Sequence, residues 1–246
     1  MENSARSQTE FQTFFREWLI QLELYLNQLL NFLQFPDDHQ QDQPNHKQLI
    51  LRVMAHYHDY FLAKARVSSR NVFLVLSPPW FSPYERTFLW VAGFKPGLSL
   101  CIVKTCGLEL TSDQVERIER LTVETKDDES AIAERLVTLQ QQVLAPTILA
   151  LTRMGGREVN GMIDDADAAV DSLAKGMEFL VGLADFLREK TVAKVVGILT
   201  TDQTVMFLAA MIQFQLRIRR WGQLRETEIH RDANNPLSSG FGGGGS

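Results

Sequence analysis

Two cysteines, two neighbouring histidines, a group of aspartates and a trio of glycines are the residues of this 246-residue chain whose types could do chemistry. Cys101 and Cys106 are five apart, so on a helix their side chains diverge by about 140°, and no second pair or nearby histidine completes a zinc set. They read as structural, unpaired thiols. His56 and His58 fall on different faces of one helix, whereas a helical metal pair needs a spacing of three or four, so both read as packing or surface histidines. Asp164, Asp165, Asp167 and Asp171 could attract a divalent cation. Their pattern lacks the glycine and closing glutamate of a calcium loop, and an acidic first turn complements the helix dipole without a metal. Gly155, Gly156 and Gly161 could cradle a phosphate, but no Gly-Lys-Ser/Thr follows and no strand precedes them, which makes them an interhelix loop. Without a G-x-S-x-G, an H-E-x-x-H or a kinase set, no catalytic, metal or cofactor residue is assigned and the chain reads as a non-enzyme.

One charged cluster remains: Arg217, Arg219, Arg220 and Arg225 around Trp221. Cations near a helix C-terminus offset the dipole and lay their stems over apolar surface. The functional alternative is a basic and aromatic contact for an acidic partner, which makes Arg217, Arg219, Arg220 and Trp221 the candidate partner-binding residues. Four isolated arginines are too few for stand-alone recognition of a DNA sequence.

Positioning these residues falls to a series of helices. The segment Val72 to Pro96, VFLVLSPPWFSPYERTFLWVAGFKP, carries Ser82, Pro83 and Glu85 in the spacing of a capping box with proline at the first helical position. It predicts a short helix through Arg86, Phe88, Leu89, Trp90 and Val91 that stops at Gly93, with Trp80 closing the entry corner and the aromatic residues in the core. Trp80, Ser82, Glu85, Arg86, Phe88, Trp90 and Gly93 form the structural signature. Before it, apolar residues from Phe11 to Leu33 recur at steps of three and four, predicting an amphipathic helix that ends ahead of Pro36. Residues 35–45 form a polar linker, and a second helix covers about 46–66. Beyond Pro96 a short buried helix closes at Gly107. The longest helix opens at a Thr111/Gln114 cap and runs to about 145, where Pro146 ends or kinks it; polar Thr122, Thr125 and Glu129 in its stripe predict that it leaves the core for a turn or two. An acidic-headed helix over about 163–190, a short helix to Leu199, and a final helix from Asp202 complete an all-α domain with no β-sheet. The boundaries are 1–10 as a flexible lead, 11–225 as one helical domain, and 226–246 as a flexible glycine-rich tail.

With 45% hydrophobic residues the chain can bury one sizeable core, and a net charge of −5 supplies no global attraction to nucleic acid or anionic membrane. Two cysteines make no disulfide framework, the opening MENSARSQTE has no apolar signal stretch, and no apolar run approaches a membrane span, so a reducing compartment is expected.

The Val72–Pro96 segment resembles the plant delay-of-germination domain, the helical module that also forms the C-terminal half of TGA-type bZIP transcription factors. FREWLIQLELYLNQL (15–29), VMAHYHDYF (53–61) and LREKTVAKVVGILTTDQTVMFLAAMIQFQLRIRRWG (187–222) agree in order and spacing, so the resemblance spans about residues 11–225. SPPW, ERTFLWVAGFKP and QFQLRIRRWG are nearest to the branch in which the domain stands alone. The resemblance implies a regulator of seed maturation, dormancy and abscisic-acid-linked signalling, in the nucleus and cytoplasm, with phosphatases or transcription factors as partners and a homodimer as one state. It also implies two alternatives: a transcriptional co-regulator assembling with DNA-bound bZIP factors, and a sensor of an apolar ligand, acyl chain or haem. Haem is disfavoured because FQLRIRRWG lacks histidine and none stands between His58 and His230; a fatty-acyl ligand stays open. Only about ten residues precede the first helix, too few for the basic region and zipper of the TGA proteins, so no sequence-specific DNA binding is expected of the chain alone.

Overall fold

The computed structural model describes residues 2–34, 43–153 and 160–234, and these are all-α: eight helices and no strand. Helices α1 (Glu2–Gln34) and α2 (Gln43–Ser68) form an antiparallel pair. The stripe expected of α1 is buried at Phe11, Phe15, Trp18, Leu22 and Leu29. Trp18 and His56 lock the pair reciprocally. The indole N–H donates to the His56 carbonyl at 2.8 Å, the His56 ring nitrogen lies 2.9 Å from the Trp18 carbonyl, and the rings stack at 5.0 Å. Helix α1 starts at Glu2 rather than near residue 11, so the lead expected to be flexible is helical. Most of the linker, 35–42, lies outside the described residues.

Three short helices turn the chain: α3 (Val72–Leu76), α4 (Pro83–Arg86) and α5 (Gly97–Thr105), the last followed by Gly107 at φ 82°, the left-handed conformation that glycine adopts without strain. Two long helices follow, α6 (Ser112–Arg153) and α7 (Asn160–Ile198), running antiparallel with Lys194 bonded to Glu124 at 2.6 Å and Lys190 to Asp128 at 2.9 Å. The Thr111/Gln114 cap is reciprocal, at 3.1 and 3.3 Å. Helix α8 (Thr201–Asn234) contacts α1, α2, α4 and α5, and buries Val205, Phe207, Leu208, Ala209 and Ile212, so it forms the axis of the core.

Several boundaries differ from the sequence reading. Helix α6 continues through Pro146 to Arg153, because the lost amide bond is confined to one turn and helix-forming residues flank it on both sides. Its polar stretch does not leave the core. Thr125 and Glu129 are buried, and Glu129 accepts from the Gly97 amide at 2.7 Å, capping α5, whose own N-cap residue Pro96 has no side-chain hydrogen bond to offer. Helix α7 is one helix rather than two, since Thr191 satisfies its buried hydroxyl on the Leu187 carbonyl at 2.7 Å within the helix. Gly161 therefore lies in α7, while Gly155 and Gly156 fall outside the described residues. Helix α8 continues to Asn234, past the expected boundary at 225, and residues 235–246 lie outside the description.

Candidate functional site

The corner ahead of α8 is built on the predicted capping box. Ser82 Oγ accepts from the Glu85 amide at 3.1 Å, and Glu85 Oε2 accepts from the Ser82 amide at 2.8 Å. Glu85 is buried, and its other oxygen accepts from Arg219 at 3.2 Å. Arg219 also donates to the Trp80 carbonyl at 3.3 Å and lies over the Phe15 ring at 5.1 Å. Trp80 packs on Phe11 at 4.5 Å, and Phe81 on Phe15 at 5.4 Å. Gly222 completes the seat: a Cβ there would stand 2.2 Å from Ser82 Oγ, so only glycine lets α8 approach the cap this closely. Arg219, proposed from sequence as a partner residue, is thus an internal tie between α8 and the corner.

Helix α4 stops at Arg86, short of the predicted Gly93. Val91 and Ala92 take left-handed conformations, φ 45° and 60°, which β-carbons disfavour. A buried cluster that the sequence reading missed holds them there. Arg188 donates to the carbonyls of Trp90, Val91 (3.0 Å) and Phe94 (2.6 Å), and to Asp185 at 2.6 Å. Lys64, 2% exposed, donates to the Ala92 carbonyl at 2.8 Å and to Asp185 at 2.6 Å. Burial pulls the Lys64 ammonium down to about 8, with the Asp185 carboxylate pulling the other way. A Cβ on Gly93 would stand 2.8 Å from the Arg188 guanidinium, which explains the glycine as a close approach and not as a helix stop. The aromatic signature divides accordingly. Trp90 is half-buried beneath Arg188 at 5.6 Å, whereas Arg86 is exposed and Phe88 is 42% exposed, lying outside the core expected for it. The one hint in the sequence was Asp185 and Arg188, three apart on an otherwise apolar helical face.

The remaining members of the arginine cluster face outward. Arg217 and Arg220 are exposed and take part in no ion pair among the described residues, while Arg225 pairs within its own helix with Glu228 at 3.4 Å. Trp221, 51% exposed, meets Tyr84 edge to face at 4.7 Å, and Tyr84 meets Phe88 at 5.3 Å. Beside them a trough of about 440 Å³ opens between α5 and α8, lined by Ile102, Cys106, Phe214, Arg217, Ile218 and Trp221. The corner therefore aims an aromatic and cationic surface at solvent.

The other chemistry-bearing residues are not brought together. Cys101 is exposed and Cys106 half-buried; both are free thiols, and burial pushes Cys106 up. His58 bonds Glu189 at 2.6 Å, joining α2 to α7, and His56 is committed to Trp18. Asp171 is exposed, and the side chains of Asp164, Asp165 and Asp167 lie outside the described residues. Among the described residues no group of three or more histidines, cysteines or acids could hold a metal ion, and no helix is long and apolar enough to cross a membrane.

A family model for seed dormancy control, DOG1, matches residues 25–105. Protein DOG1-like 4 of Arabidopsis thaliana is 32% identical over 224 residues, covering 90% of this chain and 95% of that protein. Protein RESPONSE TO ABA AND SALT 1, also from Arabidopsis thaliana, is 32% identical over 232 residues, covering 92% of this chain and all of that protein. The TGACG-sequence-specific DNA-binding protein TGA-2.1 of Nicotiana tabacum is 27% identical over 226 residues, 89% of this chain but 48% of that protein, so the match spans about half of the longer factor. The matches are to a seed-dormancy family, to a protein named for response to ABA and salt and to a DNA-binding protein, and no enzyme family is indicated. The chain belongs to the DOG1 seed-dormancy family and shares its helical domain with the TGA-type transcription factors.

Proposed function

We propose that the protein is a non-enzymatic regulator of seed maturation and dormancy, linked to abscisic-acid signalling, that acts in the nucleus and cytoplasm by contacting other regulatory proteins such as phosphatases or transcription factors. The observation that carries this reading is the division of the arginine cluster: Arg219 turns inward to Glu85, while Arg217 and Arg220 stand exposed beside Trp221 with no carboxylate in an ion pair among the described residues. Arginine and tryptophan are the types most enriched at interface hot spots, and folding alone does not require them in the open. The seed-dormancy family and a relative named for its response to ABA and salt support the biological setting. The match to about half of TGA-2.1 favours a second reading, in which the chain assembles with DNA-bound bZIP factors as a co-regulator. Affinity purification from developing seed tests the first reading, comparing the parent with an Arg217→Glu/Arg220→Glu double variant. The variant is expected to keep its helical content and lose a defined subset of co-purifying proteins. Retention of the full set would place the contact elsewhere on the molecule.

A further inference from the structure

Phe214, Arg217, Trp221 and Leu224 follow one another along α8 at steps of three and four, so they share a face. Across the trough α5 supplies Ile102 and Thr105, and its C-cap residue is Cys106. The α8 wall runs from Ala210 to Trp221, which at 1.5 Å per residue is about 16 Å, three helical turns. The trough is open along its length, since Thr105 and Arg217 are exposed and Trp221 is 51% exposed. A small apolar ligand is held by walls that cover most of its surface, and these do not.

Arg217 stands in the middle of this apolar row, between Phe214 and Trp221, and takes part in no ion pair among the described residues. A wholly apolar occupant would strip water from the guanidinium and leave it unpaired, which is strongly unfavourable. An occupant that carries an acid between its apolar side chains avoids this cost and gives Arg217 a partner. We infer that the trough receives an amphipathic helix of a partner protein, its apolar anchors set against Ile102, Phe214 and Trp221 and an aspartate or glutamate placed to meet Arg217. Three turns of such a helix present anchors at i, i+3 or i+4, and i+7, the pattern of helix-in-groove recognition. This inference rests on reading the α8 face as a contact surface and adds the chemistry of what it contacts.

The test pans the immobilised full chain against a library of helix-forming peptides randomised on one face, in parallel with an Arg217→Glu variant whose circular dichroism and melting match the parent. Parent-selected peptides are expected to carry Asp or Glu between apolar anchors and to bind the parent at least tenfold more tightly than the variant. Exchanging that acid for lysine should reverse the preference, and Trp221→Ala should weaken both pairings. Selection without an acidic preference, or charge exchange without rescue, overturns the inference. So does saturable binding of a fluorescent fatty acid that Trp221→Ala abolishes and no selected peptide displaces. If the seed co-purification depends on Arg217 and Arg220 while peptide selection ignores charge, the contact surface stands and the acidic helix falls. If charge exchange rescues peptide binding but no seed protein is lost, the trough receives acidic helices as inferred, while the proteins co-purified from seed contact another surface.

Discussion

Two arginines, Arg188 buried and Arg219 half-buried, tie backbone segments into this fold, and they do so by opposite routes. Arg219 reaches a corner that is already organised, since Ser82 and Glu85 close their box across three residues and the guanidinium adds a second anchor to Glu85 and Trp80. Arg188 instead holds a loop whose local bond, from the Trp90 amide to the Gly93 carbonyl at 2.6 Å, encloses two residues in unfavourable left-handed conformations. The left-handed Val91 and Ala92 persist because Arg188 and Lys64 capture the carbonyls of residues 90, 91, 92 and 94, from positions far away in sequence. One region is built by neighbours and then reinforced, the other is imposed by the tertiary structure. Loss of a tie should therefore be graded locally at the first and severe at the second.

The sharpest way to break this comparison is Asp185→Ala. It removes the carboxylate shared by Lys64 and Arg188, leaving two buried cations unneutralised, and breaking a buried pair in this way costs about 3 to 5 kcal/mol. Urea denaturation giving a loss below about 1 kcal/mol would show that the cluster is a passenger of the packing.

The corner should respond less. Gly222→Ala forces a methyl group against the Ser82 hydroxyl, an overpacking worth about 1 to 3 kcal/mol, and Ser82→Ala loses an N-cap worth about 1 kcal/mol. The double variant is expected to fall short of the sum, because removing Oγ relieves the nearest clash. Strict additivity would mean that α8 shifts away from the cap instead of pressing on it.

A third expected effect is a pH dependence carried by Lys64, whose ammonium titrates near 8 in the folded chain against an ordinary value of 10.5. Below 8 it is protonated in both states. Between 8 and 10.5 the unfolded chain holds more protons, so this group's contribution to stability rises with pH across that window. Burial raises Tyr57 and Tyr60, which oppose the trend above about 10 because the unfolded chain loses their protons first. The parent should gain stability relative to Lys64→Met from pH 8 to 10, measured by denaturant midpoint. A flat difference would mean that Asp185 holds the ammonium charged throughout.

The contrast also explains what could be read from the sequence. The cap at Ser82, the cap at Thr111, the α1 stripe and the buried Val205 to Ile212 run all follow from residues within a few positions of one another, where helical geometry fixes the outcome. The Lys64, Asp185 and Arg188 cluster depends on two helices, α2 and α7, meeting over the loop at residues 90–94, and nothing local marks a lysine in VMAHYHDYFLAK as buried. Glu129 misled for the same reason, since its polarity suggested solvent while its partner, the Gly97 amide, lies 32 residues earlier. The candidate site was legible as a composition, arginines around tryptophan, but not as an arrangement. Which arginine turns inward was decided by where α4 docks.

That docking has a consequence for how the family can diverge. Residues 219 and 222 and residues 217, 221 and 224 occupy opposite sides of the same helix, the first set fixed by Ser82 and Glu85, the second exposed, with Arg217 and Trp221 lining the trough. Drift at 217 and 224 changes what the surface recognises without touching the seat of α8, Trp221 is shared between the two through its contact with Tyr84, and drift at the inward positions is removed by instability before any change of partner could be selected. A duplicated gene can thus acquire a new binding preference in single steps along one helix face, each intermediate remaining a folded protein.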